Sequence, residues 1–141
     1  DELELPQHND APAALAELGR VLVDAGMTHQ AVDITRKLAI KHPGDANRLH
    51  DYALALLMDG QLPQGMRCAY RVLRLNPEHA PAMHNLAVAS IQMGRHRRAW
   101  YWVQRGLKVN KNDRRLKQLR QMLRTHAIRQ KLLNLWPWSA A

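Results

Sequence analysis

The sequence repeats itself with a period of 34 residues. A shift by that interval places Gly26 on Gly60 and then on Gly94, and it places Pro43 on Pro77. A fixed period of this length is typical of stacked-repeat proteins, in which one unit cannot bury its apolar face without its neighbours. The 141-residue chain is therefore predicted to be one domain built from several similar units.

Each unit divides into two helices at its central glycine. Apolar residues recur at intervals of three and four, as Leu15, Leu18 and Leu22 do in the first unit, and this spacing places them on one helix face. Glycine readily takes the left-handed conformation that ends a helix, and a helix rarely continues through proline. No segment alternates with period two, so we predict an all-α protein with helices at 12–25, 28–41, 46–59, 62–75, 80–93, 96–109 and 113–134.

The 34-residue unit resembles the tetratricopeptide repeat (TPR) family. The first unit carries the family pattern in Leu18-Gly19, Ala31 and Pro43, and the third carries it in the run NPEHAPAMHNLAVASIQMGRHRRAW. The resemblance implies a right-handed superhelix of antiparallel helix pairs, a TPR-like α-solenoid of about seven helices. Its predicted divisions are an acidic N-terminal extension at 1–9, three repeats at 10–43, 44–77 and 78–111, a basic capping helix at 112–135 and a tail at 136–141.

The same resemblance implies a function in protein recognition. In TPR arrays the first helix of each unit lines a concave groove that accepts a peptide, and the fold rarely carries a chemistry of its own. We therefore expect a non-catalytic scaffold, adaptor or chaperone-like module, similar in the last case to the three-repeat chaperones of bacterial type III secretion. The groove positions in this chain are Arg20, Val23, Asn47, His50, Leu54, Leu57, His84, Asn85, Val88 and Ile91.

The wall of this groove also includes Ala13 and Ala16 and is mostly apolar, with a few amide and imidazole groups. Such a wall suits an apolar peptide side chain surrounded by backbone hydrogen bonds. Capture of an anionic chain terminus, as in chaperone-binding members of the family, is not expected because Glu17 and Asp51 would repel it. In an alternative interpretation, the N-terminal segment Leu3–Pro6 folds back over the apolar positions.

The excess positive charge is confined to the last third of the chain. The formal net charge is +9, and residues 91–141 hold 13 Lys and Arg but a single acid, Asp113. A charge distribution of this kind attracts anionic partners. In the run RHRRAWYWVQR we expect Trp100 and Val103 to face the core and Tyr101 and Trp102 to be more exposed. The predicted basic surface consists of Arg95, Arg97, Arg98, Arg105, Arg114, Arg115, Arg120 and Arg124.

The sequence is compatible with several kinds of partner for this basic surface. In the first interpretation it docks an acidic protein or lies on an anionic membrane surface; in the alternative, residues 95–131 bind nucleic acid through phosphate contacts and base stacking. The last helix carries an apolar stripe, which predicts that the helix covers the end of the array. Alternatively, the helix lies on a membrane surface with Trp136 and Trp138 at the headgroups. The exposed ends of the array also allow self-association. The stripe is formed by Leu116, Leu119, Leu123 and Ala127.

Other functional classes are not expected. The single cysteine, Cys68, permits no intrachain disulfide and no cysteine-rich zinc site. His50 and His84 occupy equivalent positions of adjacent units, but no third metal ligand accompanies them. No motif pairs a nucleophile with a general base, so we predict no enzymatic activity, no metal and no cofactor. The opening residues are acidic and unlike a signal peptide, which predicts a cytoplasmic protein, a peripheral membrane protein or a soluble domain of a larger one.

Overall fold

The computed structural model describes residues 11–135. Within that range the chain forms seven helices and no strand, so the predicted all-α class is confirmed. Every helix boundary lies within one residue of its predicted position. The predictions for residues 1–9, for the tail at 136–141 and for Trp136 and Trp138 lie outside the described residues. The helices are α1 (Ala11–Asp24), α2 (Thr28–Lys41), α3 (Ala46–Met58), α4 (Leu62–Leu75), α5 (Ala80–Gln92), α6 (His96–Val109) and α7 (Arg114–Leu135).

The helices stack in two layers. Each helix packs against the next one along the chain, and α1, α3, α5 and α7 also contact one another in succession. Short connections between packed helices make neighbours antiparallel. The first helices of the units therefore form one layer, which α7 extends, and α2, α4 and α6 form the other.

Glycines end the first helix of each unit. Gly26, Gly60 and Gly94 have φ values of 74°, 80° and 70°, a region that side-chain-bearing residues rarely adopt. This conformation reverses the chain and starts the second helix of the unit.

Polar caps start the first helices, again at 34-residue intervals. The Asp45 carboxylate accepts the Asn47 N–H (2.9 Å), and the Asp113 carboxylate accepts the Leu116 N–H (3.0 Å). At the equivalent position, His79 Nδ1 accepts the Ala82 N–H (3.2 Å). Each cap satisfies a backbone donor that has no partner within the helix.

Small residues let the two helices of a unit approach closely. A Cβ atom added at Gly65 would lie 2.6 Å from the Leu57 side chain and 3.1 Å from the Leu57 nitrogen. Ala31 and Ala99 occupy the same repeat position and are fully buried. The core that forms around these contacts is centred on Leu56, Met83 and Leu86.

The last helix closes the core of the third unit. Leu116 is fully buried, and its Cδ1 lies 2.6 Å from where a Cβ on Gly106 would be. Leu123 is also buried and Leu119 is half-buried, but Ala127 is exposed. The covering stripe predicted from sequence therefore ends at Leu123.

The sequence-based assignment is wrong for Trp102, which is buried. Trp100 is half-buried against the core and Tyr101 is exposed, both as expected. The ring of Trp102 reaches Tyr70 on α4, with 5.7 Å between the centroids. Val103 is fully buried, as expected.

The apolar stripe of α1 is also less buried than expected. Leu15 is 41% and Leu18 is 43% exposed, although Leu49 and Leu86, at the corresponding positions of later units, are buried. Among the described residues, no helix packs on the outer side of α1.

Candidate functional site

A pocket of about 520 Å³ lies on the side formed by the first helices. Ala13, Asn47, Pro81 and Arg115 line it, one from each of α1, α3, α5 and α7. These residues are 34 positions apart, so the repeat itself brings one side chain per helix to the same place. The row spans the whole array and includes α7, which the sequence analysis interpreted as a cap, as a membrane-contacting helix or as part of the basic surface.

The pocket is more polar than the sequence predicted. Apart from Ala13, Leu54 and Pro81, its lining residues have charged, amide or imidazole side chains. Arg48 lies between two carboxylates, 3.9 Å from Asp45 and 3.7 Å from Asp51. The prediction of a mostly apolar wall is therefore wrong for this pocket. The polar lining consists of Arg20, Asp45, Asn47, Arg48, His50, Asp51, His79 and Arg115.

Two histidine rings meet at the centre of the polar lining. The ring centroids of His50 and His79 are 4.8 Å apart. Because His79 Nδ1 accepts the Ala82 N–H, its proton is on Nε2, which donates to Asn47 Oδ1 at 3.2 Å. That bond fixes the Asn47 amide and leaves its NH₂ group available to a ligand. His50 Nδ1 is buried and has no hydrogen-bond partner among the described residues.

The environment keeps these imidazoles neutral. Burial, reinforced by His79, Arg115 and His84, lowers the pKa of His50 to about 4. Burial also lowers the pKa values of His79 and His84. Burial raises the pKa of Asp51, against the opposing effect of the nearby arginines. At neutral pH the charges in the pocket are therefore those of its arginines and aspartates.

A smaller cavity of about 120 Å³ adjoins the pocket between α1, α2 and α3. Arg20, Asp51 and Leu54 line both spaces, so the two are neighbours. Val23, Gly19 and Thr35 complete much of the smaller one. The hydroxyl of Thr35 donates to the Ala31 carbonyl (2.6 Å), so its proton is not free to donate to a ligand. This cavity can take one small apolar side chain.

The structure brings together five of the ten predicted groove residues. Arg20, Asn47, His50 and Leu54 line the main pocket, and Val23 lines the adjoining cavity.

The other five predicted groove residues lie elsewhere. Leu57 packs on Gly65, which directs it toward α4, and Ile91 packs against the core. His84 contacts Asn85 (3.5 Å), whose side chain is largely buried. Val88 is half-buried and lines neither space.

Sequence reasoning missed five lining residues. Two signals were available: 34-residue shifts connect Asp45 with His79, and Asn47 with Pro81 and Arg115. The missed residues are Asp45, Arg48, His79, Pro81 and Arg115.

The eight residues of the predicted basic surface do not form one continuous face. Arg115 lines the pocket, whereas Arg97 and Arg105 lie along a separate groove on α6. Arg124 reaches back from α7, with its guanidinium 5.9 Å from the Trp100 ring centroid. Arg95, Arg98 and Arg114 are exposed, and Arg120 is half-buried.

Within residues 11–135, no three His, Cys, Asp or Glu side chains cluster so that they could hold a metal ion. No helix in that range combines the length and hydrophobicity that a bilayer span requires. Cys68 is buried, and burial raises the pKa of its thiol, so it is held as the unreactive thiol form.

A sequence profile of the tetratricopeptide repeat matches residues 56–123. No curated protein matches the chain.

Solved structures share the fold at low identity. The Sgt2 TPR domain from Aspergillus fumigatus has a TM-score of 0.81 and 16% identity, and the match covers 93% of this chain and 88% of that one. The translocator chaperone SycD of Yersinia enterocolitica type III secretion has a TM-score of 0.74 and 14% identity, covering 90% of this chain and 96% of that one. The first TPR of Spaghetti (RPAP3), solved bound to the HSP90 peptide SRMEEVD, has a TM-score of 0.72 and 18% identity, covering 82% and 93%.

Proposed function

Because the chain belongs to the tetratricopeptide-repeat family, we propose that it is a non-catalytic interaction module whose pocket takes an extended segment of another protein. One observation carries the proposal. The first helices of the three units and α7 contribute the same repeat position, Ala13, Asn47, Pro81 and Arg115, to one pocket. A site that runs across the units suits a ligand that is itself extended.

The pocket offers distinct contacts for such a segment. The NH₂ group of Asn47, oriented by His79, is suited to a backbone carbonyl. The cavity beside Val23 and Leu54 has room for one apolar side chain. Arg115 supplies a positive charge at the far end of the row. The ligand class we propose is therefore a peptide segment with one small apolar residue and an acidic side chain several residues away.

Two proteins of similar structure support the proposal that the pocket takes a peptide segment. The Spaghetti domain was solved with a bound peptide, and SycD is a secretion chaperone. The carboxylates of Asp45 and Asp51 lie in the pocket of this chain, so we do not extend capture of a free carboxyl terminus to it.

The test is a pull-down from lysate of the source cells, quantified by mass spectrometry. Asn47→Ala removes the oriented amide, and Arg115→Glu reverses the charge at the end of the row. Each variant is expected to lose a specific partner by about tenfold, equivalent to ~1.4 kcal/mol. Both residues are exposed enough that the helical circular dichroism spectrum is expected to be unchanged.

Arg114→Glu is the matched control, since it makes the same charge change one residue away without lining the pocket. It is expected to keep the partner within about twofold. The proposal would be contradicted if every specific partner survived both pocket variants.

A further inference from the structure

A second groove, of about 540 Å³, runs along the outer face of α6. We call it the outer groove, and its lining residues all belong to α6, spaced three, one, three, one and three positions apart. The eleven helical steps from the first to the last of them give the groove a length of about 16 Å, the span of about five extended residues. The lining consists of Arg97, Trp100, Tyr101, Gln104, Arg105 and Lys108.

The floor of the outer groove is aromatic and held in place. Tyr101 is 54% exposed, and its ring packs edge-on against buried Trp102 at 4.9 Å. The guanidinium of Arg105 lies 5.6 Å from the Trp102 ring centroid and donates from Nη1 to the Tyr101 hydroxyl at 3.4 Å. An exposed aromatic ring with fixed neighbours can contact a ligand without losing much conformational entropy.

The rim of the outer groove is positively charged, and no acidic side chain among the described residues pairs with it. Every ion pair among residues 11–135 lies between Glu17 and Asp59, so none involves α6 or α7. After Glu78 the described residues contain a single acid, Asp113, whose carboxylate caps α7. Arg97, Arg105 and Lys108 are therefore complementary to a ligand that brings its own negative charge.

The geometry points to an acidic protein segment in this groove, with an apolar side chain on Trp100 and Tyr101 and carboxylates at the cationic rim. This is our own proposal, and it is independent of the pocket formed by the first helices. A peptide of about five residues matches the length of the groove, and alternating acidic and apolar residues match its rim and floor.

Nucleic acid fits the outer groove less well. A run of stacked bases needs several open ring faces, but Trp100 is half-buried with the Arg124 guanidinium over its ring, which leaves Tyr101 as the exposed ring of the groove. The cations also do not continue as one track, since Arg115 turns into the pocket on the other side of the array.

The probe for this proposal is a fluorescein-labelled peptide, Glu-Leu-Glu-Leu-Glu, measured by fluorescence anisotropy with the full chain. The charge-reversal variant Arg97→Glu/Lys108→Glu changes two exposed rim residues. It is expected to weaken binding at least about tenfold, and Tyr101→Ala at least about fivefold. A peptide with Gln in place of Glu is expected to bind no better to wild type than to the charge-reversal variant.

The matched control, Arg98→Glu/Lys111→Glu, makes the same change in net charge at exposed residues outside the groove. It is expected to bind the peptide within about twofold of wild type, as is Arg115→Glu, which alters only the other pocket. Equal loss in the control would reduce the effect to general electrostatics and overturn the proposal.

Two further probes test the other partner classes. Labelled oligothymidylate and anionic phosphatidylserine vesicles are each expected to bind more weakly than the peptide at the same ionic strength. Tighter binding of either, lost in the rim variant, would assign the groove to that ligand and overturn ours. Absence of peptide binding would also overturn it.

Discussion

His50 shows how one residue is set by its surroundings. Its ring lies against His79, and its Nδ1 is buried without a hydrogen-bond partner among the described residues. Burial disfavours the imidazolium, and the positive charge of Arg115 adds to the effect, so the pKa is lowered from 6.5 to about 4. The folded protein therefore favours the neutral form of the His50 side chain.

This preference predicts loss of stability in acid. Between pH 6.5 and 4 the unfolded chain takes up a proton at His50 that the folded chain does not, so the free energy of unfolding falls as pH falls. At about 1.4 kcal/mol per pKa unit, the full effect is on the order of 3 kcal/mol. His50→Gln is expected to flatten the decline of Tm across this window, although not fully, because the pKa values of His79 and His84 are also lowered.

The measurement is thermal unfolding by circular dichroism at a series of pH values. His42→Gln, at an exposed histidine after α2, is the control and is expected to keep the wild-type profile. An unchanged acid slope in His50→Gln would show that His50 is not buried as a neutral group.

Among the elements, α7 has the clearest structural role. Its buried Leu116 contacts Gly106 and fills the open end of the core. Leu116→Ala is expected to cost about 2–4 kcal/mol, since it removes a fully buried side chain and leaves a cavity. Met122→Ala, on the same helix at a 47% exposed position, is expected to change stability by less than about 0.5 kcal/mol. Urea unfolding measures both, and equal effects would contradict the packing of α7 on α6.

The limits of the helices could be predicted from the sequence because local chemistry decides them. The glycine that ends each first helix and the proline after α2 and α4 act through their own backbone, wherever the helix packs. The 34-residue spacing then identified the units without any tertiary information.

The directions of side chains could not be predicted as well, because they depend on several neighbours at once. Periodicity placed Trp102 outside the core, but its ring is buried and reaches Tyr70 on α4. Leu57 had the right position for the groove and instead packs on Gly65. Arg115 looked like one surface cation among many, and only the contact of α7 with α5 brings it into the pocket.

Across the whole molecule, stability is expected to be uneven. In α5 eight residues are buried, whereas three of the larger apolar side chains of α1, Leu15, Leu18 and Val21, are exposed. In linear arrays each unit is stabilised mainly by its neighbours, so a terminal helix with one packed side opens at lower free energy. We predict that amides of α1 exchange hydrogen faster than those of α4 and α5, through an opening that costs several kcal/mol less.

Native-state hydrogen exchange followed by mass spectrometry tests this gradient. The amides of α5 serve as the internal reference within each sample. Protection of α1 equal to that of α5 would contradict the gradient and indicate that the array opens as one cooperative block.

The double use of α7 couples recognition to thermodynamics. One side of the helix closes the core through Leu116, and its first turn supplies Arg115 to the pocket. A ligand bound to Arg115 loses that contact whenever α7 detaches. By linkage, ligand binding therefore stabilises the packed position of α7 in proportion to the ligand's affinity. A ligand in the pocket would thus be detectable as slower fraying at the C-terminal end of the array. In return, weaker packing of α7 would reduce the affinity for the ligand by the same free energy.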